Sequence, residues 1–312
     1  MAIIPRFLMP LLILGMSFFS TDVYSQLPTP DHVVIAIFEN HSYDQIMGNS
    51  AAPYLNSLVS DSATALFMQS YALTHPSQPN YLMLFSGSDQ GVTNDHVPKN
   101  LPFTSPNLGA GLLQVGRTFA GYSEDLPSIG FNGKSSGDYA RKHNPWVNWQ
   151  GAEMNGIPSK LNLPLTSFPS NYDLLPTVAF VIPNQVHDMH KGSDPERINK
   201  ADAWLKDHLG SYVQWAKSHN SLLIITFDEG DEGHSRAVKF FNRIFSFFRD
   251  NSEGGGKESD HIFTLFLGEK VKHGRYDQVI DHYRVLRTIE EMYGLPYAGN
   301  SAASSAISNV WK

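Results

Sequence analysis

Four apolar runs stand out along the chain: HVVIAIF at 32–38, TVAFVIP at 177–183, SLLIITF at 221–227 and HIFTLFLG at 261–268. Each has strand length, β-branched or aromatic character and no polar alternation, which is what strands buried on both faces require. Between the second and third runs the spacing changes. Over 194–220, Trp204, Leu205, Leu209, Tyr212, Val213 and Ala216 recur with helical periodicity and predict an amphipathic helix. A further helix is expected over 281–296, stopped by Gly294 and Pro296. Strands alternating with helices predict an α/β class, a mostly parallel central sheet sandwiched by helices. Residues 95–175, rich in Gly, Pro, Ser and Asn, read as loops and short elements forming a cap.

The N-terminal pattern is different. Arg6 precedes an apolar run from Phe7 to Phe19, then a polar stretch ending Val23-Tyr24-Ser25. Small residues at the third-last and last positions suit signal-peptidase cleavage, so 1–25 is expected to be a secretory signal and 26–312 one domain, secreted or periplasmic. The run is too short to span a bilayer comfortably, and no other segment reaches spanning length. The chain has no cysteine, which excludes disulfides and a lipid anchor on Cys, so an exported form must rely on its core. Net charge is −7, and removing 1–25 takes away one basic and one acidic residue, leaving it unchanged. That balance argues against nucleic acid as a partner. It is better explained if some carboxylates hold cations.

The stretch THPSQPNYLMLFSG, 74–87, runs from a polar, proline-punctuated entry into an apolar helical face. Pro79 fits a first helical turn, so Ser77 falls at or just before a helix start. Serine there is either an N-cap or a nucleophile placed where a helix N-terminus favours an anion. Polar clusters come after three of the strand runs: ENHSYD at 39–44, NQVHDMH at 184–190 and DEGDE at 228–232. If the strands are parallel, these clusters meet at one sheet edge, where ligands of open α/β sheets bind. Glu39, Asn40, Asp228 and Glu229 then form an oxygen-rich set that would repel itself unless a cation sat among them. Oxygen ligands suit Mg²⁺, Ca²⁺ or Mn²⁺; imidazole from His187 or His190 widens the choice to Zn²⁺ or iron.

Taken together, HVVIAIFENHSYDQIMG, THPSQPNYLMLFSG, YARKHNPW, FVIPNQVHDMHKGS, LLIITFDEGDE and DHYRVLRTIEEMYGLP resemble the bacterial phosphoesterase family over nearly all of 26–312. That family contains secreted acid phosphatases, phosphatidylinositol-3-phosphate phosphatases and phospholipases of the C type, on an alkaline-phosphatase-like fold. The resemblance implies a phosphoric-ester hydrolase using one or two divalent metal ions. It implies Ser77 as nucleophile, with Glu39, Asn40, Ser77, Asp228 and Glu229 at the metal. Asn94, within SGSDQGVTND, is implied as a phosphate-binding amide. His187, Asp188, His190 and His282 are implied to hold phosphate or a second metal. The expected reaction is phosphomonoester hydrolysis through a phosphoserine. A phosphodiesterase of the phospholipase C kind and an inactive surface-binding protein stand as alternatives.

Several residues receive plainer expectations. His41 follows the first cluster and could equally face solvent, His75 could do no more than shape its turn, His96 and His143 lie in loops, and Trp146 is expected to pack in the core. His261 is left open as a group that could reach the site. Within an insertion at 230–260, residues 237–249 place six large apolar side chains on one helical face, expected to pack on the protein, on a partner or at a membrane surface. Phosphoinositides or other phospholipids therefore stand among the expected substrates.

Overall fold

The computed structural model describes residues 27–231 and 260–312. The expected signal segment 1–25 and the amphipathic segment 237–249 lie outside the described residues. Among the described residues no helix is long and apolar enough to cross a membrane.

The architecture is α/β. Ten strands are described: β1 (His32–Phe38), β2 (Thr64–Tyr71), β3 (Phe119–Ser123), the short pair β4 (Ser135–Ser136) and β5 (Tyr139–Ala140), β6 (Asn162–Pro164), β7 (Val178–Ile182), β8 (Ser221–Phe227), β9 (Thr264–Gly268) and β10 (Gly274–Asp281). All but β4 and β5 join one eight-stranded sheet, ordered β10-β2-β9-β8-β1-β7-β3-β6. Among these strands only β9 runs against its neighbours, β8 and β2; every other pairing in the sheet is parallel. The remaining strands therefore point the same way, and their C-terminal ends share one edge.

Six described helices cover the sheet: α1 (Tyr43–Ile46), α2 (Pro53–Val59), α3 (Ser77–Ser86), α4 (Leu108–Gln114), α5 (Glu196–Ala216) and α6 (His282–Tyr293). Central β1 shows why its sequence is apolar throughout. Val33, Ile35 and Ile37 enter a core shared with α3, α4 and α6, whereas Val34, Ala36 and Phe38 enter a second core shared with α2 and α5. The apolar stripe of α5 is the one read from its spacing, with Trp204, Leu205, Leu209, Tyr212, Val213 and Ala216 all buried. Asp202 of α5 accepts the backbone N–H groups of Tyr54 and Leu55 at 2.9 and 2.7 Å. It thereby supplies α2 with the N-terminal acceptor that Ala52, its own cap residue, lacks.

Three expectations need correction. The 261–268 run becomes a strand only from Thr264, and it is the reversed one. Residues 95–175 are more than a cap, because they supply β3 and β6 to the sheet itself. Strands β2, β3, β6 and β10 also escaped the apolar-run criterion. β10 alternates exposed and covered positions, as an edge strand does, and β3 and β6 are short.

α3 is buried along its whole length, and its far end is clamped by the C-terminal segment. Gly87, at φ +67°, ends the helix; a Cβ there would lie 1.9 Å from the Ala298 carbonyl oxygen, so only glycine fits. Asn300 N donates to the Gly87 carbonyl at 2.8 Å. Glu290 of α6 holds this clamp, accepting from Ala298 N at 2.8 Å and from the Ser301 hydroxyl at 2.6 Å. Burial, outweighing these hydrogen bonds, raises the Glu290 carboxyl from its ordinary 4.5 to about 7. A group raised on folding contributes stability that is fully present below the unfolded value and is lost as pH rises through the folded one. Between pH 4.5 and 7 this group is expected to lower stability by on the order of 2 kcal/mol. Glu290→Gln, uncharged throughout, should remove that part of the decline, measured by denaturant unfolding across the range; an identical slope in the variant would refute the assignment.

Candidate active site

The edge where the parallel strands end is where the chemistry gathers. β1 and β8 run in full register, Phe38 beside Phe227, so Glu39 and Asp228 emerge side by side. Asp228 N donates to the Phe38 carbonyl at 2.9 Å, and Glu39 N to the Asp188 carbonyl at 2.8 Å, which draws the segment after β7 into the same place. Asn40 turns the chain at φ +52°, a region asparagine tolerates better than most residues. That turn lets Asn40 N donate to Asp228 Oδ1 at 3.2 Å while its side chain lies 3.2 Å from Glu39 Oε2 and 2.8 Å from His190 Nδ1. β2 ends at Tyr71 on this edge and leads directly to α3 and Ser77. The reversed β9 begins here, which carries Asp260 in as well.

Ser77 opens α3, is buried, and its Oγ lies 2.9 Å from Glu39 Oε2 and 3.1 Å from Glu229 Oε1. Lys142 Nζ lies 3.4 Å from the same oxygen and is paired with Asp95 at 2.8 Å. Ser77 does not cap its helix: the residue before it, Pro76, holds the cap position, and no side-chain cap bond is made. A hydroxyl has one proton and can satisfy only one of the two carboxylates at a time.

Four carboxylates, Glu39, Asp188, Asp228 and Glu229, are buried in this cluster. Burial pushes Asp228 well above its ordinary range, with the Glu39 and Glu229 charges adding to the effect. Glu229 is raised by burial too, against the opposing hydrogen bond from His75. Glu39 goes the other way. Its burial is outweighed by His143, His190 and Lys142 together, and it stays well below the usual carboxylate range. His143 lies between two acids, Nε2 at 3.1 Å from Glu39 Oε1 and Nδ1 at 3.2 Å from Asp188 Oδ2. Burial disfavours its charge, but Glu39 and Asp188 prevail and push it up to about 9. Its ring stacks on Tyr81, one turn along α3 from Ser77, with centroids 5.1 Å apart.

The donor set fits a cation. Glu39, His143 and Asp188 each offer a ligand atom within 4.8 Å of the others, a group that could hold a metal ion. On the opposite side of Glu39, Ser77, Asp228 and Glu229 present oxygens while Asn40 turns its Nδ2 toward Glu39 Oε2, and Asp228 Oδ2 is buried with no hydrogen-bond partner. The local cations fall short of the acids, since His75 is shared between Glu229 and Asp260 and Lys142 is shared with Asp95. Buried carboxylates in excess of their counter-charges are what a divalent ion relieves.

The structure thus brings together Glu39, Asn40, Ser77, Asp188, His190, Asp228 and Glu229 as expected. His282 is adjacent but works through the backbone: buried, with its charge disfavoured by burial, it lies 2.8 Å by Nε2 from the Asp228 carbonyl oxygen. Asn94 does not join the site. Its side chain accepts from His96 N within its own loop, and the residue facing the site is the next one, Asp95. His187 does not join either, because its ring pairs with Glu124 at 2.9 Å. His41 is buried against the Glu39 carbonyl and Asp194 rather than facing solvent. His261 stacks on Tyr43, with Nε2 3.0 Å from the Met68 carbonyl. The residues missed are His75, Tyr81, Asp95, Lys142 and His143. The segment RKHNPW held the signal for two of them, a basic pair beside a buried tryptophan, but no strand end precedes it to mark it as part of the edge.

The Phosphoesterase family model matches residues 49–296. The chain is 44% identical over 289 residues to the phosphatidylinositol-3-phosphatase of Mycobacterium tuberculosis, covering 92% of this chain and 85% of that protein. It is 28% identical over 239 residues to the phosphate-repressible acid phosphatase of Penicillium chrysogenum, covering 73% of this chain and 52% of that one. Among solved structures, a protein in the alkaline phosphatase superfamily from Vibrio parahaemolyticus superposes with a TM-score of 0.53 at 12% identity, over 86% of this chain and 67% of that one. At that identity the likeness is one of fold.

Lys142 and His143 depend on a neighbour for their position. Trp146, fully buried, lies over Gly121 of β3 and donates from Nε1 to Asn162 Oδ1 at 2.9 Å. A Cβ at Gly121 would stand 2.1 Å from the indole. Gly121→Ala is therefore expected to displace Trp146 and the segment before it, costing about 1–3 kcal/mol in denaturant unfolding and lowering turnover of a phosphomonoester. Wild-type values in both measurements would show that this packing does not set the site.

Proposed function

This chain belongs to the phosphoesterase family and is a hydrolase of phosphoric esters; from that premise we propose that it is an exported, metal-dependent phosphomonoesterase working through a phosphoserine on Ser77. The observation that carries the reading is the Ser77 hydroxyl, buried at the start of α3 within 2.9 and 3.1 Å of two carboxylates and 3.4 Å from an ammonium. A serine serving only its helix would have no use for that company. The name of the M. tuberculosis relative supports a phosphoinositide among the substrates. The signal-like 1–25 supports export.

Glu39, Asn40, Asp228 and Glu229 would hold the metal, with Ser77 beside it. When bound, the ion supplies charge neutralisation for the phosphoryl oxygens and favours the ionised serine. The chain's own groups do the rest. Glu229, whose carboxyl burial raises, accepts the Ser77 proton. Lys142 donates toward Ser77 Oγ and neutralises charge developing there. Ser77 attacks phosphorus in line, the ester oxygen leaves with the electron pair, and a phosphoserine forms. His190, hydrogen-bonded to the Asn40 side chain, stands at the mouth of the site as the group to protonate the leaving alkoxide. Water then cleaves the phosphoserine. The N-terminus of α3 adds a partial positive charge beneath the transferred group.

Ser77→Ala is expected to lower kcat by on the order of 10³-fold or more while leaving the circular dichroism spectrum intact. Mass spectrometry of acid-quenched wild type should find phosphate on Ser77; turnover near wild type in the variant would reduce Ser77 to a structural residue. Asp228 carries the second test. Its burial among like charges disfavours the ionised form, so in chelator Asp228→Asn should unfold at the same or higher denaturant concentration than wild type. With Mg²⁺, Mn²⁺ or Zn²⁺ restored, only the wild type should gain stability and activity. Equal metal stabilisation of both proteins would remove Asp228 from the ligand set.

A further inference from the structure

Arg141 takes no part in the chemistry at Ser77, yet it is 3% exposed and sits immediately before Lys142 and His143. Its Nε and Nη1 have no hydrogen-bond partner, and among the described residues no carboxylate lies in ion-pair reach of it. Burial without a counter-charge holds its guanidinium below the ordinary value. A buried guanidinium lacking acceptors is destabilising unless something supplies them.

Arg141 lines a cavity of about 470 Å³, together with Lys134, Lys142, Lys191, His190 and Asp95. The cavity adjoins the nucleophile, since Lys142 lies 3.4 Å from Ser77 Oγ and His190 Nδ1 lies 3.2 Å from Glu39 Oε2. Two of its cations are already matched: Lys142 with Asp95 at 2.8 Å and Lys191 with Asp138 at 2.7 Å. The other two, Arg141 and Lys134, have no such match among the described residues. They are fixed near one another by the Arg141 N–H, which donates to the Lys134 carbonyl at 3.1 Å. The volume lies within the ordinary range for small-molecule sites and leaves room for a sugar-sized group.

We propose that this cavity is a second-anion subsite, in which Arg141 and Lys134 bind an anionic group of the substrate other than the phosphoryl group transferred to Ser77. The inference rests on the phosphomonoesterase reading and narrows it to phosphomonoesters that carry a further phosphate, phosphodiester or carboxylate. A guanidinium presents parallel donors that match such groups bidentately, which a lysine cannot do. The chemistry is shared by a lipid headgroup, whose second anion is its phosphodiester, and by a free sugar bisphosphate.

The test compares phenyl phosphate, inositol 1,3-bisphosphate and dibutanoyl phosphatidylinositol 3-phosphate. In wild type, kcat/KM for at least one doubly anionic substrate should exceed that for phenyl phosphate by about tenfold or more, with the gain in KM. Preference for the lipid alone identifies the headgroup as the source; preference for both identifies the bisphosphate chemistry. Arg141→Gln should cut that ratio by about 10- to 100-fold, the loss of charge-assisted hydrogen bonds, and Arg141→Lys should restore part of it. Lys134→Ala, at an exposed position, should cut it by several-fold and guards against misfolding of the Arg141 variants. A wild-type ratio near one, or variants that slow all three substrates equally, would overturn the subsite. Binding of inositol 1,3-bisphosphate to Ser77→Ala by calorimetry separates the two readings. The same titration is made with dibutanoyl phosphatidylinositol 3-phosphate: binding of either ligand that weakens on adding Arg141→Gln upholds the subsite even where failed turnover sinks the phosphatase reading, whereas binding of both that is indifferent to Arg141 overturns the subsite alone.

Discussion

The carboxylate of Glu39 is the constraint around which the rest of the site is arranged. It is fully buried at the end of the central strand, and an unpaired charge there would cost several kcal/mol. One oxygen faces His143, while the other faces Ser77, Asn40 and His190. His143 is in turn held by Asp188 and by the ring of Tyr81. Removing any of these groups would leave a buried charge or a buried polar atom unpaired, so the cluster stands or falls as a unit. The positive groups still do not balance the acids, so the cluster could hold a metal ion.

The sheet provides the means of assembly. Because all described strands of the main sheet but β9 point one way, the polar residues after β1, β2, β7, β8 and β10 arrive at one edge without long detours. β9 adds to the edge by its reversal, since its start delivers Asp260 to His75. α3 is anchored at both ends: Ser77 lies among the acids, and Gly87 is locked against the Ala298 segment. A helix buried along its full length has little freedom to shift, so Ser77 is held fixed among the acids.

The segment from Arg141 to Trp149 has a different kind of support. It is two short 3₁₀ turns with few internal hydrogen bonds, so its position comes from packing. Trp146 against Gly121 and Trp149 against Phe85 and Phe103 fix it over α3. The residues it delivers, Arg141, Lys142 and His143, are the positive complement to the acidic strand ends. Acids from the sheet and bases from a packed loop meet above the start of α3, where a phosphoric ester would meet both signs of charge.

Read along the chain alone, the residue pattern yields the α/β class, the three central parallel strands, the two amphipathic helices and the acidic half of the site. Those features are local or come from one rule: an apolar run of strand length is buried, and the residues just past the end of a parallel strand lie at the ligand edge. Glu39, Asn40, Asp228 and Glu229 were legible for that reason, and Ser77 from the proline-marked helix start. The basic half is set by how the chain folds back on itself. His143 and Lys142 come after no core strand, and their worth comes from partners 104 and 47 positions away in the chain, Glu39 and Asp95. The same distance effect took His187 away to Glu124 and turned Asn94 back into its own loop. Charge pairing across a folded core depends on where chain segments meet in space, and no periodicity along the chain encodes that meeting.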